Sequence, residues 1–178
     1  RRQRQMCIRD SSKNDREGFY SWSGLRYFLY EYELYLQDNA NMKVSWEDFN
    51  KRKKEDTIEH IYPQSPNDIY WKNRFGHLKP SEKRQYLNSL GNLLLLNRSK
   101  NSKLQNYDFD KKKCLLNKDG KEIGYYNGSY SEIEVSKHKE WTPDEIKKRG
   151  LLMLQFMEER WKFSFDNWNI SKAVSYTH

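Results

Sequence analysis

The sequence predicts an α+β domain in which a small core of strands and a helix is wrapped by helices at both ends. Two short apolar segments, 57–62 and 92–96, have the length of strands. Segments with helical spacing precede and follow them, at 22–37 and 141–161. Hydrophobic residues make up only 35% of the 178, but 15% are aromatic, including 13 Tyr and 6 Trp. We therefore expect a folded domain whose core is largely aromatic.

The first predicted helix covers residues 22–37. Its apolar side chains recur at Leu25, Phe28, Leu29, Tyr32 and Leu36, which places them on one face. Residues 45–56 follow as a short turn or helical piece that leads into a basic run.

The first strand is expected at 57–62 and is stopped by Pro63, which opens a turn-rich break. A short helix is predicted over 81–91, with Ser81 as its N-cap. The run at 92–96 then reads as a buried strand.

A helix is expected directly after the second strand, with Ser99 as its cap. The DG and NG dipeptides in 117–134 predict a loop or small hairpin. The last helix, 141–161, is predicted to begin after the N-cap Thr142 with Pro143 in its first turn. Its core-facing stripe is expected to contain Ile146, Leu151, Leu154 and either Met157 or Trp161.

Net charge is +8, which is typical of proteins with a polyanionic partner, most commonly nucleic acid, but charge alone fits a merely solubilising surface equally well. The two cysteines, Cys7 and Cys114, form no CxxC pair or disulfide framework, so a reducing cytoplasm fits best. No apolar run approaches the ~20 residues of a membrane span.

The basic segment 1–12 has no period and is excluded as a non-native or disordered leader. If native, it is a flexible basic arm or the tail of an upstream domain. Residues 13–178 are predicted to form one domain, with a core at about 55–112 and helical annexes at 20–38 and 141–161.

Polar residues punctuate the predicted strand, strand and helix in a fixed order. Glu59 and His60 lie on the first strand, Asn92 begins the second, and Asn101 follows nine residues later. This order resembles the HNH, or His-Me finger, nucleases, which implies a ββα-metal core. The many HNH proteins with a structural zinc carry CxxC pairs, but Asn97 and Lys100 occupy the corresponding positions here, so no structural zinc is expected.

Further motifs resemble the C-terminal domain of GmrSD-type restriction endonucleases over roughly residues 20–162. They are the H-x-x-P of His60 to Pro63, the "LGNLLLLNRSKNSKLQN" run, and W-x4-I-x2-R from Trp141 to Arg149. The resemblance implies a nuclease of modification-dependent restriction or phage defence. It also implies an N-terminal ParB-like nucleotide-binding domain in the full-length protein.

Phosphodiester cleavage needs a base to activate water and a cation to offset charge on the phosphate. Histidine is largely neutral at pH 7, and Mg²⁺ or Mn²⁺ prefers oxygen ligands. The resemblance assigns His60 as general base, Glu59 and Asn101 as metal ligands, and Asn92 to orient the base or fix its loop. Adjacent strand residues point to opposite faces. We therefore expect a twist, a bulge or a strand end near residue 60 to bring Glu59 and His60 together.

DNA is the predicted partner. Contacts to it are expected from Arg98, Lys100 and Lys103 around Asn101, although a solvated basic face is equally natural for these cations. His77, between the strands, is a further candidate contact, for which a structural role in the loop is the favoured alternative. Cutting both strands with one site per chain favours a homodimer or sequential nicks.

Two other interpretations stay open. The chain is a non-catalytic nucleic-acid-binding module that kept the HNH fold, or a structural domain with no nucleic-acid role. Taken singly, Glu59, His60, Asn92 and Asn101 are ordinary structural residues, so the nuclease hypothesis depends on their joint order.

Overall fold

The computed structural model describes residues 18–37, 46–162 and 164, although the side chain of Trp46 is not described. The leader predicted at 1–12 lies outside these ranges. The helices and strands in chain order are α1 (Leu25–Leu36), α2 (Trp46–Glu55), β1 (Asp56–His60), α3 (Ile69–Phe75), α4 (Pro80–Leu87), β2 (Leu93–Asn97), α5 (Arg98–Leu104), α6 (Phe109–Lys113), β3 (Leu115–Leu116), β4 (Glu122–Ile123), α7 (Tyr130–Ser136) and α8 (Pro143–Trp161). This mixture confirms the α+β class. No described helix is both long and apolar enough to cross a membrane.

Strands β1 and β2 pair antiparallel without a bulge in their register, and we call this pair the hairpin although α3 and α4 lie in its connection. Asp56 pairs with Asn97 at one end and His60 pairs with Leu93 at the other. The first strand thus ends two residues earlier than expected. The second begins one residue later, because Asn92 lies in a 3-10 turn over Leu90–Asn92. Helix α5 follows β2 directly, as the sequence predicts.

Strand β2 is buried on both faces and joins two hydrophobic clusters. Leu94 and Leu96 pack in a cluster that contains Trp141, whereas Leu93 packs in a cluster that contains Phe28. Neighbouring leucines of β2 pack in different clusters because successive side chains of a strand point to opposite faces. A wholly apolar run was therefore the correct signal for this strand.

Helix α1 confirms the prediction at 22–37 and buries two carboxylates that the apolar pattern does not explain. Glu33 accepts hydrogen bonds from the backbone N–H groups of Tyr130 and Ser131, at 2.7 and 2.9 Å, and so satisfies the first turn of α7. Glu31 pairs with Arg160 of α8 at 2.7 Å. Both carboxylates therefore orient α1 against neighbouring helices.

Helix α8 begins as predicted, because Thr142 accepts from the Asp144 N–H and Pro143 occupies the first turn. The predicted core stripe was partly wrong. Leu151 and Trp161 are exposed by 46% and 41%, respectively, and the apolar side chains that this helix buries are Ile146, Met153, Phe156 and Met157. A strict count of apolar positions missed the true face because both clusters contact this helix.

Two predicted helix caps are wrong. Helix α4 begins at Pro80 and not after a Ser81 cap, since proline tolerates the first turn and Glu82 accepts from the Lys79 N–H at 2.7 Å. Helix α5 is capped by Asn97, whose side chain accepts from Ser99 N, and not by Ser99 itself.

The segment 46–55, left open between turn and helix, is helical through its basic run. Strands β3 and β4 form the small hairpin that the DG turn predicts.

Candidate active site

Glu59 and His60 end strand β1 but project to opposite sides of it. The Glu59 carboxylate contacts Lys112 and Tyr125, whereas the His60 ring contacts Tyr20 and Asn88. The regular register with β2 enforces this alternation. The strand ends at His60, which is one of the three irregularities expected near residue 60, but the two side chains do not share one site.

The Glu59 carboxylate is paired with a lysine inside the protein. Lys112 Nζ lies 2.5 Å from Glu59 Oε1 and 3.0 Å from the His60 carbonyl oxygen, and its side chain is fully buried. The Tyr125 hydroxyl donates to the same carboxylate oxygen at 3.0 Å. Burial lowers the pKa of Lys112, while the nearby carboxylate opposes that shift. This trio ties the end of β1 to α6 and to the turn at Tyr125.

His60 is a buried, neutral imidazole. The residue is only 6% exposed. Its Nε2 lies 3.3 Å from Asn88 Oδ1, and the centroid of its ring lies 4.5 Å from that of the Tyr20 ring. Burial lowers the pKa of His60 to about 4; the hydrogen bond to Asn88 opposes this shift and the Lys112 charge adds to it. When Nε2 donates to Asn88, Nδ1 is the nitrogen that accepts a proton.

Asn92 is fully buried and holds the chain that follows His60. Its Oδ1 accepts from Tyr62 N at 2.7 Å, and its Nδ2 donates to the carbonyls of Tyr62 and Leu87 at 3.0 and 2.9 Å. Its own carbonyl accepts from Ile61 N at 3.0 Å. Asn92 therefore fixes the backbone of the H-x-x-P turn and acts on His60 through that backbone.

The W-x4-I-x2-R element braces the same point from the other side. Trp141 Nε1 donates to Asn92 Oδ1 at 3.1 Å. Arg149 Nη1 donates to the carbonyls of Gly91 and Leu93, each at 2.9 Å. Both side chains are buried, so this distant element holds the start of β2 in place.

Comparison with known families gives a match over most of the chain. The family described as GmrSD restriction endonucleases, C-terminal domain, matches residues 8–156. This chain belongs to that family. The resemblance predicted from the sequence motifs is thus confirmed, while no curated protein and no solved structure matches the chain.

The side chains of this GmrSD domain, as arranged, do not fit the divalent ion that the resemblance implies. Glu59 is paired with Lys112, and Asn101 Nδ2 donates to Thr57 Oγ1 at 2.9 Å. Among the described residues, no group of three or more His, Cys, Asp or Glu side chains could hold a metal. We therefore assign no chemical step to an ion at Glu59.

The residues predicted to contact nucleic acid lie in different surroundings in the GmrSD domain. Arg98 and Lys103 are exposed on α5, where they line an open cleft of about 550 Å³. Lys100 turns inward instead, with its Nζ 2.6 Å from Glu132 Oε1. His77 is exposed between α3 and α4. Helix α5 thus presents Arg98 and Lys103 to a ligand and directs Lys100 into the protein.

Sequence reasoning missed Lys112, Tyr125 and Asn88 in this GmrSD domain. Lys112 belongs to the basic run 111–113, from which the sequence predicts salt-dependent contacts with a nucleic-acid backbone and therefore an exposed position. The available signal was its position three residues after Phe109, which places both residues on the buried face of α6. Asn88 and Tyr125 reach the site through tertiary packing, for which the local sequence gives no signal.

Proposed function

We propose that this GmrSD domain hydrolyses phosphodiester bonds of DNA as the nuclease part of a restriction or phage-defence protein. The family consists of restriction endonucleases, and the net charge of +8 suits a polyanionic substrate. The observation that carries the chemical part of the proposal is His60. Its lowered pKa keeps the imidazole unprotonated at neutral pH, at the end of a braced hairpin.

In the proposed reaction, His60 accepts a proton from a water molecule at Nδ1. The water oxygen attacks phosphorus, one backbone P–O bond breaks, and the leaving oxygen takes a proton from solvent. A base with a pKa of about 4 is fully in its accepting form at pH 7, although the driving force for proton transfer is small. The substrate approaches past Tyr20, whose ring packs against the imidazole and is itself 41% exposed.

Dependence on Mg²⁺ or Mn²⁺ is a separate proposal that rests on the family resemblance alone. An upstream ParB-like domain and a dimer that cuts both strands are proposals of the same kind. A plasmid assay with either ion or with EDTA tests the first of them directly.

The decisive experiment is nicking of supercoiled plasmid by wild type and by His60→Ala. We expect the variant to lose at least about 100-fold in rate, the usual contribution of general-base catalysis, with unchanged DNA affinity. His138→Gln is the matched control, since it removes a half-buried imidazole elsewhere and is expected to retain nicking. Equal nicking by wild type and His60→Ala would refute the role of His60.

A non-catalytic nucleic-acid-binding module is the second candidate. It is favoured by the burial of His60 and by the Lys112 partner of Glu59. DNA binding without nicking, with each metal ion and at several pH values, would establish this second function instead.

A further inference from the structure

The cleft between α2 and α5 brings cations from two separate helices to one place. Lys54 comes from the last turn of α2, while Arg98 and Lys103 come from α5. All three residues are exposed, and none has an ion-pair partner within the described part of the chain. Unpaired cations that converge on an open cleft indicate a site for an anionic ligand.

Other groups in the cleft suit the same ligand. Ser99 adds a hydroxyl group, which commonly binds phosphate oxygens, whereas the Ser102 hydroxyl donates to the Arg98 carbonyl at 3.0 Å. Lys51 lies one turn before Lys54 on the same face of α2 and extends the cationic surface. Among the described residues that line the cleft, Glu55 is the one carboxylate, so positive charge dominates.

Helix α5 separates this surface from the protein interior. Its cleft side carries Ser99, Ser102 and Lys103, at the i, i+3 and i+4 spacing of one helix face. Its inner side carries Lys100 and Asn101, which contact Glu132 and Thr57. The exposed cations are therefore not committed to internal ion pairs.

The cleft and His60 lie at opposite ends of one hairpin. Asn97 lines the cleft and pairs with Asp56, whereas His60 pairs with Leu93. Four residue steps along β1, about 13 Å, separate Asp56 from His60.

We propose that the α2–α5 cleft binds the phosphate backbone of duplex DNA, at the end of the hairpin remote from His60. This inference rests on the proposed function for its choice of DNA. The cations are spread over two helices and an open surface, which suits an extended polyanion better than a single small phosphate. Backbone contacts of this kind position the duplex without reading its sequence.

The test compares two triple variants of equal net charge. Lys54→Gln/Arg98→Gln/Lys103→Gln removes the cleft cations, and Lys118→Gln/Lys121→Gln/Lys139→Gln removes three exposed cations elsewhere. Binding to a fluorescent 20-base-pair duplex is measured by anisotropy between 50 and 200 mM NaCl, in EDTA to prevent metal-dependent cleavage. The cleft variant is expected to lower the salt slope by about 3 and the affinity at 100 mM by more than 10-fold, since each phosphate contact contributes about 0.9 to the slope.

The control triple is expected to lower the slope by less than about 1. Lys54→Arg/Arg98→Lys/Lys103→Arg, which keeps the charges, is expected to retain the wild-type slope. Equal effects of the two Gln triples would overturn the cleft proposal. Tighter binding of an RNA duplex of the same sequence, with the same loss in the cleft variant, would overturn the choice of DNA.

The same variants separate this proposal from the proposed function. If the wild type never nicks plasmid and only the cleft variant loses DNA affinity, the cleft proposal is supported and the nuclease proposal is refuted. A wild type that nicks plasmid, with equal binding by both Gln triples, supports the nuclease and refutes the cleft.

Discussion

Lys112 is stabilising because its ammonium group pairs with the Glu59 carboxylate in the protein interior. Without the ammonium group the carboxylate remains buried and lacks its opposite charge, so Lys112→Met is expected to lower the free energy of unfolding by about 3–5 kcal/mol. Glu59→Leu/Lys112→Met removes both charges and is expected to regain most of this loss. Urea denaturation followed by circular dichroism gives each value.

An exposed ion pair provides the control for Lys112. Glu140→Gln breaks the pair with Arg74, whose partners are 28% and 50% exposed, and is expected to cost less than about 1 kcal/mol. If Lys112→Met costs no more than this control, the buried pair is not the stabilising contact described above.

His60 makes the stability of the domain depend on pH. Its folded pKa of about 4 lies below the ordinary value of 6.5, so the unfolded chain takes up the proton first as pH falls. The unfolding free energy that depends on a neutral His60 is fully present above pH 6.5. As pH falls toward 4, it decreases by up to about 3 kcal/mol. The check is the difference in unfolding free energy between wild type and His60→Gln across this range. A difference that stays constant with pH would contradict the buried, neutral imidazole.

At the scale of elements, helix α8 contacts the turn before β2 at two glycines, of which only one has room for a side chain. A methyl group at Gly91 would overlap the Ile146 carbonyl oxygen, whereas one at Gly150 would lie 3.5 Å from Gly91 N in ordinary contact. Gly91→Ala is therefore expected to cost at least about 3 kcal/mol by overpacking. Gly150→Ala is expected to be neutral or to gain up to about 1 kcal/mol in helix propensity. Thermal melts of both variants test the contact, and tolerance of Gly91→Ala would contradict it.

Periodicity and capping residues predicted the elements well where the signal was local. Helix α8 begins after Thr142 as the sequence indicates, and the run of leucines in β2 is a buried strand. Ser81 was wrong as a cap because Pro80 already occupies the first helical turn. The buried face of α8 was wrong because two clusters, contacting it from different directions, decide which side chains are covered.

The candidate site was less predictable than the fold. The order of His60, Asn92 and the W-x4-I-x2-R element identified the family, and the structure gives each a place around the hairpin end. The partners of Glu59 and His60 could not be predicted, because Lys112 and Asn88 approach from segments whose packing is set by distant contacts.

At the scale of the whole molecule, β2 couples the two hydrophobic clusters. Leu93 and Leu94 are both fully buried but belong to different clusters. We therefore expect one cooperative unfolding transition, in which tryptophan fluorescence and far-UV circular dichroism coincide. Leu93→Ala and Leu94→Ala are each expected to cost about 2–5 kcal/mol and to shift both probes together. Separate transitions in either variant would show that the clusters unfold independently.

The contacts of Trp141 and Arg149 with the turn before β2 also bear on how the protein is made. These two side chains follow the hairpin by about 50 residues in the chain. During synthesis the hairpin leaves the ribosome well before the indole and guanidinium that hold it. A nascent chain that stops short of residue 149 therefore lacks the braced imidazole, so any cutting activity would be delayed until residue 149 has been synthesised and has folded back onto β2.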